Sequence, residues 1–123
     1  MYEIIVESHF DCAHFLRGYK GKCENIHGHR YTVRVHLKVM KLNEIGLAYD
    51  FTQLKGYLKD VIGKFDHVSL NETPPFDKMN PSAENIARTI YAELKLKMAA
   101  EPVTLSAVEA WETPEQGAVY TPD

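Results

Sequence analysis

Hydrophobic and polar positions alternate along residues 2–10. Ile4, Val6 and Phe10 share one face, and Glu3, Glu7 and His9 share the other. Residues 30–40 alternate more cleanly. Tyr31, Val33, Val35, Leu37 and Val39 line one side, and Arg30, Thr32, Arg34, His36 and Lys38 line the opposite side. A strand with one apolar and one polar face belongs in an antiparallel sheet packed on one side. The period then changes. Phe51, Leu54, Tyr57, Leu58, Val61 and Ile62 recur at helical spacing, with Asp50 and Gln53 placed as a capping box and Gly63 at the end. Ser82 is placed to cap a second helix carrying Ile86, Ile90, Leu94 and Met98, which Pro102 stops. Between the helices, residues 64–81 hold Pro74, Pro75 and Pro81 and read as an irregular loop of a length that usually serves function. Residues 103–112 and 117–121 read as two more strands around a turn with Pro114 and Gly117. The order predicts an α+β domain: an antiparallel four-stranded sheet with two helices on one face.

Two helices leave one face of such a sheet uncovered, and that face carries Arg30, Arg34, His36 and Lys38. The sheet also has open edges, which proteins must protect. Both problems are solved if several copies close into a barrel with polar residues facing a central channel. The 123 residues suit one domain, 1–123. Fourteen basic against seventeen acidic residues give −3, which excludes a nucleic-acid reader that depends on bulk positive charge. No apolar run reaches transmembrane length, and Met1–Glu7 reads as a strand rather than a signal peptide. The expectation is a cytoplasmic protein with no membrane or nucleic-acid partner, whose two cysteines are free thiols.

The six histidines change this picture most. In Cys23-Glu24-Asn25-Ile26-His27-Gly28-His29, residues 27 and 29 point to one face of a strand, so both imidazoles can converge on one ion. His14 ends the first predicted strand. If that strand pairs antiparallel with the second, His14 arrives beside them. Three neutral imidazoles leave one position of a zinc ion open, which is a catalytic arrangement. Cys23 either completes a structural Cys–His site or sits near the metal as a base, its thiolate favoured by positive charge. Cys12 reads as a small buried apolar residue, and His9 and His36 as polar strand-face residues. Asp66 beside His67 suits a carboxylate that orients an imidazole, although an exposed pair at a helix end has the same sequence. Glu109 and Glu112 have opposite strand parity, so one of them faces inward or into an interface. A carboxylate there takes either a salt bridge or a ligand that offers paired N–H groups.

Taken together, Phe10-x-x-Ala13-His14, Gly21-Lys22-Cys23-x-x-x-His27-Gly28-His29, Asp50-Phe51, Asp66-His67-x-x-Leu70-Asn71, Pro81-Ser82-Ala83-Glu84-Asn85, Glu112-Thr113 and Tyr120 carry a family likeness. In order and spacing they resemble the 6-pyruvoyltetrahydropterin synthase / 6-carboxytetrahydropterin synthase family. The resemblance implies the T-fold, or tunnelling fold, assembled as a trimeric or hexameric barrel with active sites between subunits. It implies zinc on His14, His27 and His29. It implies Cys23 as the proton-abstracting thiolate, with Asp66 and His67 as the supporting acid–base pair. Glu112 would anchor a pterin ring, with Thr113 beside it. The implied substrate is 7,8-dihydroneopterin triphosphate, whose phosphates would need Lys20, Lys22 or Arg30. Three residues between Cys23 and His27 look like the 6-carboxytetrahydropterin synthases of queuosine biosynthesis. Glu24 also satisfies a Glu-x-x-His-Gly-His pattern of paralogues that form 6-hydroxymethyl-7,8-dihydropterin for folate. It is therefore a further substrate-contact candidate. The remaining alternatives are the pyruvoyl-forming reaction and a non-catalytic zinc- or pterin-binding subunit.

Overall fold

The alternation at the start of the chain runs further than residue 10. Strand β1 spans Tyr2–His14 and pairs antiparallel with β2, His27–Val39, from Tyr2 opposite Val39 to His14 opposite His27. Helix α1 follows at Phe51–Ile62, then β3 at Val68–Ser69, α2 at Ala83–Lys97, β4 at Thr104–Thr113 and β5 at Gln116–Tyr120. The computed structural model describes residues 1–18 and 25–123, so Lys20, Lys22, Cys23 and Glu24 lie outside the described residues. Within them the strand order is β3-β1-β2-β4-β5. The sheet thus gains a fifth strand over the four expected. It is a two-residue piece parallel to β1, with Cys12 opposite Val68 and Ala13 opposite Ser69. The 63–81 segment is also more regular than expected, with 3₁₀ turns at Gly63–Phe65 and Leu70–Glu72.

Both helices cover one face. Leu54, Leu58, Val61 and Ile62 of α1 and Ile86, Ala87, Ile90, Tyr91 and Leu94 of α2 are buried. They pack on the apolar rows Val6–Phe10–Cys12 and Tyr31–Val33–Val35–Leu37. Each large apolar side chain removed from water here contributes roughly 1.5–3 kcal/mol. Phe10 stacks on Tyr31 at 5.4 Å between ring centroids and also touches Phe65. Cys12 is buried as expected, and burial pushes its thiol pKa up to about 12. The Ser82 cap forms as predicted, its Oγ accepting from the Asn85 N–H at 3.1 Å. The first cap forms by half. Asp50 accepts from the Thr52 N–H at 2.8 Å, but Gln53 donates outward to Glu101 instead of reaching back. Gly63 is right-handed and leads into the 3₁₀ turn rather than ending the helix in the left-handed region.

Two asparagines tie the exit of β1 to the Pro-rich segment. The Asn71 side chain accepts from the Phe15 N–H at 2.9 Å and donates to the Phe15 carbonyl at 3.1 Å. Asn80 grips both groups of Arg17 in the same way, at 2.8 and 2.9 Å. Asn71 is buried, so its removal strands a peptide N–H and a carbonyl together. Asn71→Ala is expected to cost about 2 kcal/mol or more in chemical denaturation, from two lost hydrogen bonds and their unsatisfied partners. A loss below about 0.5 kcal/mol would show that water replaces the clamp.

The uncovered face carries a charge network rather than bare cations. Arg34 Nε donates to Glu7 at 2.8 Å, and its guanidinium lies 5.6 Å from the centre of the Trp111 ring. His36 bonds Glu3 at 3.1 Å and Glu109 at its other nitrogen, and Trp111 Nε1 donates to Glu109 at 2.7 Å. Burial works against the His36 imidazolium, but the hydrogen bonds of Glu109 and Glu3 outweigh it and raise the pKa. Burial likewise opposes the Glu109 carboxylate, and Trp111 and His36 outweigh it and lower the pKa. A raised histidine stabilises the fold below its unfolded value near 6.5 and loses that contribution as pH rises through the folded value. A lowered carboxylate loses its contribution as pH falls through its own folded value. The stability gap between wild type and His36→Gln is therefore expected to be widest in mildly acidic solution and to close as pH rises. Urea melts of both proteins between about pH 4 and 9 test this, and a gap that widens with pH would contradict it.

Candidate active site

The site is built at the end of the sheet where β1 stops and β2 begins. The antiparallel register sets His14 opposite His27 and Cys12 opposite His29. The even-numbered side chains of β1 and the odd-numbered ones of β2 face the helices, so all three imidazoles point to one side. Their ring centroids lie 4.5, 4.6 and 5.2 Å apart. Gly28 between two of them is not sterically required, since a Cβ there would make only ordinary contact with the Cys12 carbonyl at 3.8 Å.

The ring nitrogens are sorted by their backbone partners. His14 Nδ1 lies 3.1 Å from the Pro81 carbonyl and 3.1 Å from the Tyr31 hydroxyl. His27 Nδ1 lies 2.7 Å from the Asn25 carbonyl. A carbonyl accepts only, so each Nδ1 carries the proton and each Nε2 presents a lone pair to the cluster. His14 is 2% exposed, and its Nε2 is buried with no hydrogen-bond partner. Burial lowers its pKa and keeps the ring neutral. A neutral imidazole with an unsatisfied, inward lone pair and a fixed second nitrogen is the donor a zinc ion requires. The residues present therefore fit the expected metal.

Glu112 joins this group. It sits on β4 beyond Ala110, where the pairing with β5 shifts between Trp111 and Thr113. Glu112 shares its strand parity with Val108 and Ala110, both fully buried, so alternation turns it to the helix side. Gly117, opposite Trp111, makes room for that ring, because a Cβ there would come within 2.6 Å of it. Glu112 Oε1 lies 3.1 Å from His29 Nε2, 3.4 Å from His14 Nε2 and 3.9 Å from His27 Nε2. Glu112 is thus the inward carboxylate of the Glu109/Glu112 pair on the helix side, while Glu109 lies in the network on the other face. Thr113 spends its hydroxyl in the β4–β5 turn, accepting from the Glu115 N–H at 3.1 Å.

Asp66 and His67 form a second group with Asp11. His67 Nδ1 lies 3.0 Å from Asp66 Oδ2. The Asp11 N–H donates to Asp66 Oδ1 at 2.9 Å, and the Asp11 carbonyl accepts from the His67 N–H at 2.6 Å. The bond from the Asp11 N–H, with help from His67, lowers the Asp66 pKa, so the carboxylate stays charged. His67 holds φ at 57°, a left-handed conformation that costs about 1 kcal/mol or more outside glycine and is usually retained for a purpose. Its side chain is 78% exposed. Arg30, the described member of the three basic candidates, is paired through Nε and Nη2 with Asp11 at 2.9 and 3.2 Å. Sequence reasoning did not find Asn25 or Pro81, which contribute backbone carbonyls, or Asp11, which gives its backbone to Asp66 and His67 and its carboxylate to Arg30.

A sequence profile described as 6-pyruvoyl tetrahydropterin synthase matches residues 3–123. The chain is 34% identical over 143 aligned positions to the 6-carboxy-5,6,7,8-tetrahydropterin synthase of Haemophilus influenzae, covering 98% of this chain and 99% of that protein. It is 33% identical to the Bacillus subtilis protein of the same name, covering 98% and 86%. In three dimensions it is similar to 6-pyruvoyl tetrahydropterin synthase from Caenorhabditis elegans, with a TM-score of 0.89, 27% identity, and 99% and 96% of the two chains covered.

Proposed function

The chain belongs to the 6-pyruvoyl tetrahydropterin synthase family, and from that premise we propose that it is a zinc-dependent 6-carboxy-5,6,7,8-tetrahydropterin synthase. Its substrate is 7,8-dihydroneopterin triphosphate, and its product enters queuosine biosynthesis. The observation that carries this reading is the convergence of His14, His27 and His29 Nε2, one of them buried without a partner. The names and identities of the bacterial relatives support the carboxy product.

Zinc held by the three histidines would polarise the hydroxyls of the substrate side chain and make their protons easier to remove. The rest is the work of the chain. Pro81 and Asn25 carbonyls fix His14 and His27 as Nε2 donors. Glu112 offers two oxygens to the paired N–H groups of the pterin's guanidine-like edge, which orients the ring. Thr113 and Glu24 lie beside the proposed ring anchor and base in sequence and complete the substrate contacts. Cys23 takes a proton from the side chain as thiolate. His67 accepts and returns a proton at Nε2, with its Nδ1–H held by Asp66 Oδ2. Arg30, Lys20 and Lys22 are the cations available to the departing triphosphate. The assembly is a barrel of identical copies, in which Cys23 of one copy and Asp66–His67 of another serve the same substrate.

Product analysis with 7,8-dihydroneopterin triphosphate tests the reading. Formation of 6-carboxytetrahydropterin with acetaldehyde and triphosphate is expected. A pyruvoyl product without acetaldehyde, or 6-hydroxymethyl-7,8-dihydropterin, would move the chain to another reaction of the family. Tight pterin binding with unchanged substrate would make it a binding subunit.

A further inference from the structure

Glu112 is asked to do two things that one carboxylate position does not satisfy together. As a ring anchor it presents both oxygens to a bidentate partner. In the structure Oε1 is instead turned into the three histidines, and only Oε2 faces outward, 3.4 Å from the Gln116 side-chain amide. The distances have a chemical meaning. In a tetrahedral zinc site with ligand bonds of about 2.0–2.1 Å, neighbouring donor atoms lie about 3.3 Å apart. The three Oε1–Nε2 separations of 3.1, 3.4 and 3.9 Å bracket that edge. Oε1 therefore stands at a corner of the donor set, the corner that three histidines alone leave open. Two further facts keep it there. Strand parity with buried Val108 and Ala110 turns the side chain inward, and the carboxylate is only 19% exposed, so water competes poorly for that corner.

We infer that Glu112 is the fourth zinc ligand of the substrate-free protein, and that docking of the pterin ring draws it off the metal. The release step rests on the pterin reading above; the ligand step does not. The consequence is a site that is closed until the correct ring arrives. With no ring bound, the carboxylate fills the coordination position and keeps water from it. When the guanidine-like edge of a pterin offers its N–H donors, Glu112 exchanges one metal bond for two charge-assisted hydrogen bonds. The coordination position then opens as the hydroxylated side chain of the same substrate reaches it. No bond of the substrate breaks in this exchange and no proton need move. The class of ligand that opens the site is a heterocycle with adjacent N–H donors. An anion or a hydroxylated chain without the ring lacks the donors that draw Glu112 away.

Zinc affinity, read by chelator competition on the purified full chain, tests the ligand step without reference to turnover. Glu112→Gln is expected to bind zinc at least 10-fold more weakly than wild type, the lower end of what support of a metal site is worth. Glu112→Asp separates ligation from charge. It keeps the charge but shortens the arm, and it is expected to lose affinity by a comparable factor. Unchanged affinity in the Gln variant overturns the ligand step, and so does wild-type affinity in the Asp variant. Unaltered thermal melts of the metal-free variants exclude misfolding. Unsubstituted pterin, which has no side chain to reach the metal, tests the release step. It is expected to bind the zinc-loaded protein at least about fivefold more weakly than the metal-free protein, and to weaken zinc by the same factor. Equal pterin binding to both forms overturns release. Pterin binding to neither form overturns release together with the pterin reading, while the zinc affinities still decide the ligand step.

Discussion

His14→Ala is expected to weaken zinc binding by at least about 100-fold and to leave a protein that dialysis against a chelator strips completely. His14 is the most buried of the three imidazoles and the one whose Nε2 has no hydrogen bond. Its Nδ1 is tied to Pro81, just before α2, and lies against Tyr31, which is fully buried beside Phe10. The metal would thus be bonded, through one ring, to both the sheet and the start of α2. Loss of that ring removes a donor and leaves the Pro81 carbonyl without its partner. The fold should lose about 1–3 kcal/mol besides. His14→Gln restores polarity at the position but not the imidazole lone pair, so it should recover stability more than zinc. Stoichiometric zinc in His14→Ala after dialysis would remove His14 from the ligand set.

Asp66→Asn is expected to lower kcat by roughly 10²- to 10⁴-fold with zinc content unchanged. The carboxylate accepts on both oxygens, from the Asp11 N–H and from His67 Nδ1. An amide can satisfy the Asp11 N–H with its oxygen, but it then turns an NH₂ group towards Nδ1. The imidazole answers with the other tautomer, and Nε2 carries a proton when it should accept one. The loss should fall on kcat rather than KM, because the pair is proposed to move protons and not to hold the ring. Turnover within about threefold of wild type would return Asp66–His67 to the status of an exposed structural pair.

What the sequence disclosed, and what it hid, follows from where each signal is written. The two long strands and both helices were legible because their periods differ and their apolar faces are wide. His14 beside His27 followed from one assumption, antiparallel pairing, which the register bears out. β3 was not legible: two residues carry no period, and the strand forms because β1 offers an edge. The position of Glu112 among the histidines was half legible. Parity showed that one of two glutamates turns inward, but which one depends on the face of β4 that the helices cover, and tertiary packing sets that. The partners of the site groups on Asp11, Asn25 and Pro81 are main-chain atoms, and any residue type supplies those. Asn71 and Asn80 are the reverse case. Their side chains mimic a neighbouring strand, a use to which nothing in an irregular loop draws attention.

The pairing of β1 with β2 has a bearing on how the chain finds its fold. The connection over residues 15–26 is far longer than the two-residue turns that dictate hairpin alignment, so it leaves several alignments open. A slip of one residue would turn every buried side chain to water, and packing forbids it. A slip of two keeps the faces and costs far less. In one direction, however, it sets His14 opposite residue 25, carries it away from His29 and scatters the three imidazoles. A divalent ion taken up early by all three rings would therefore proofread the hairpin against that slip before the helices close over it.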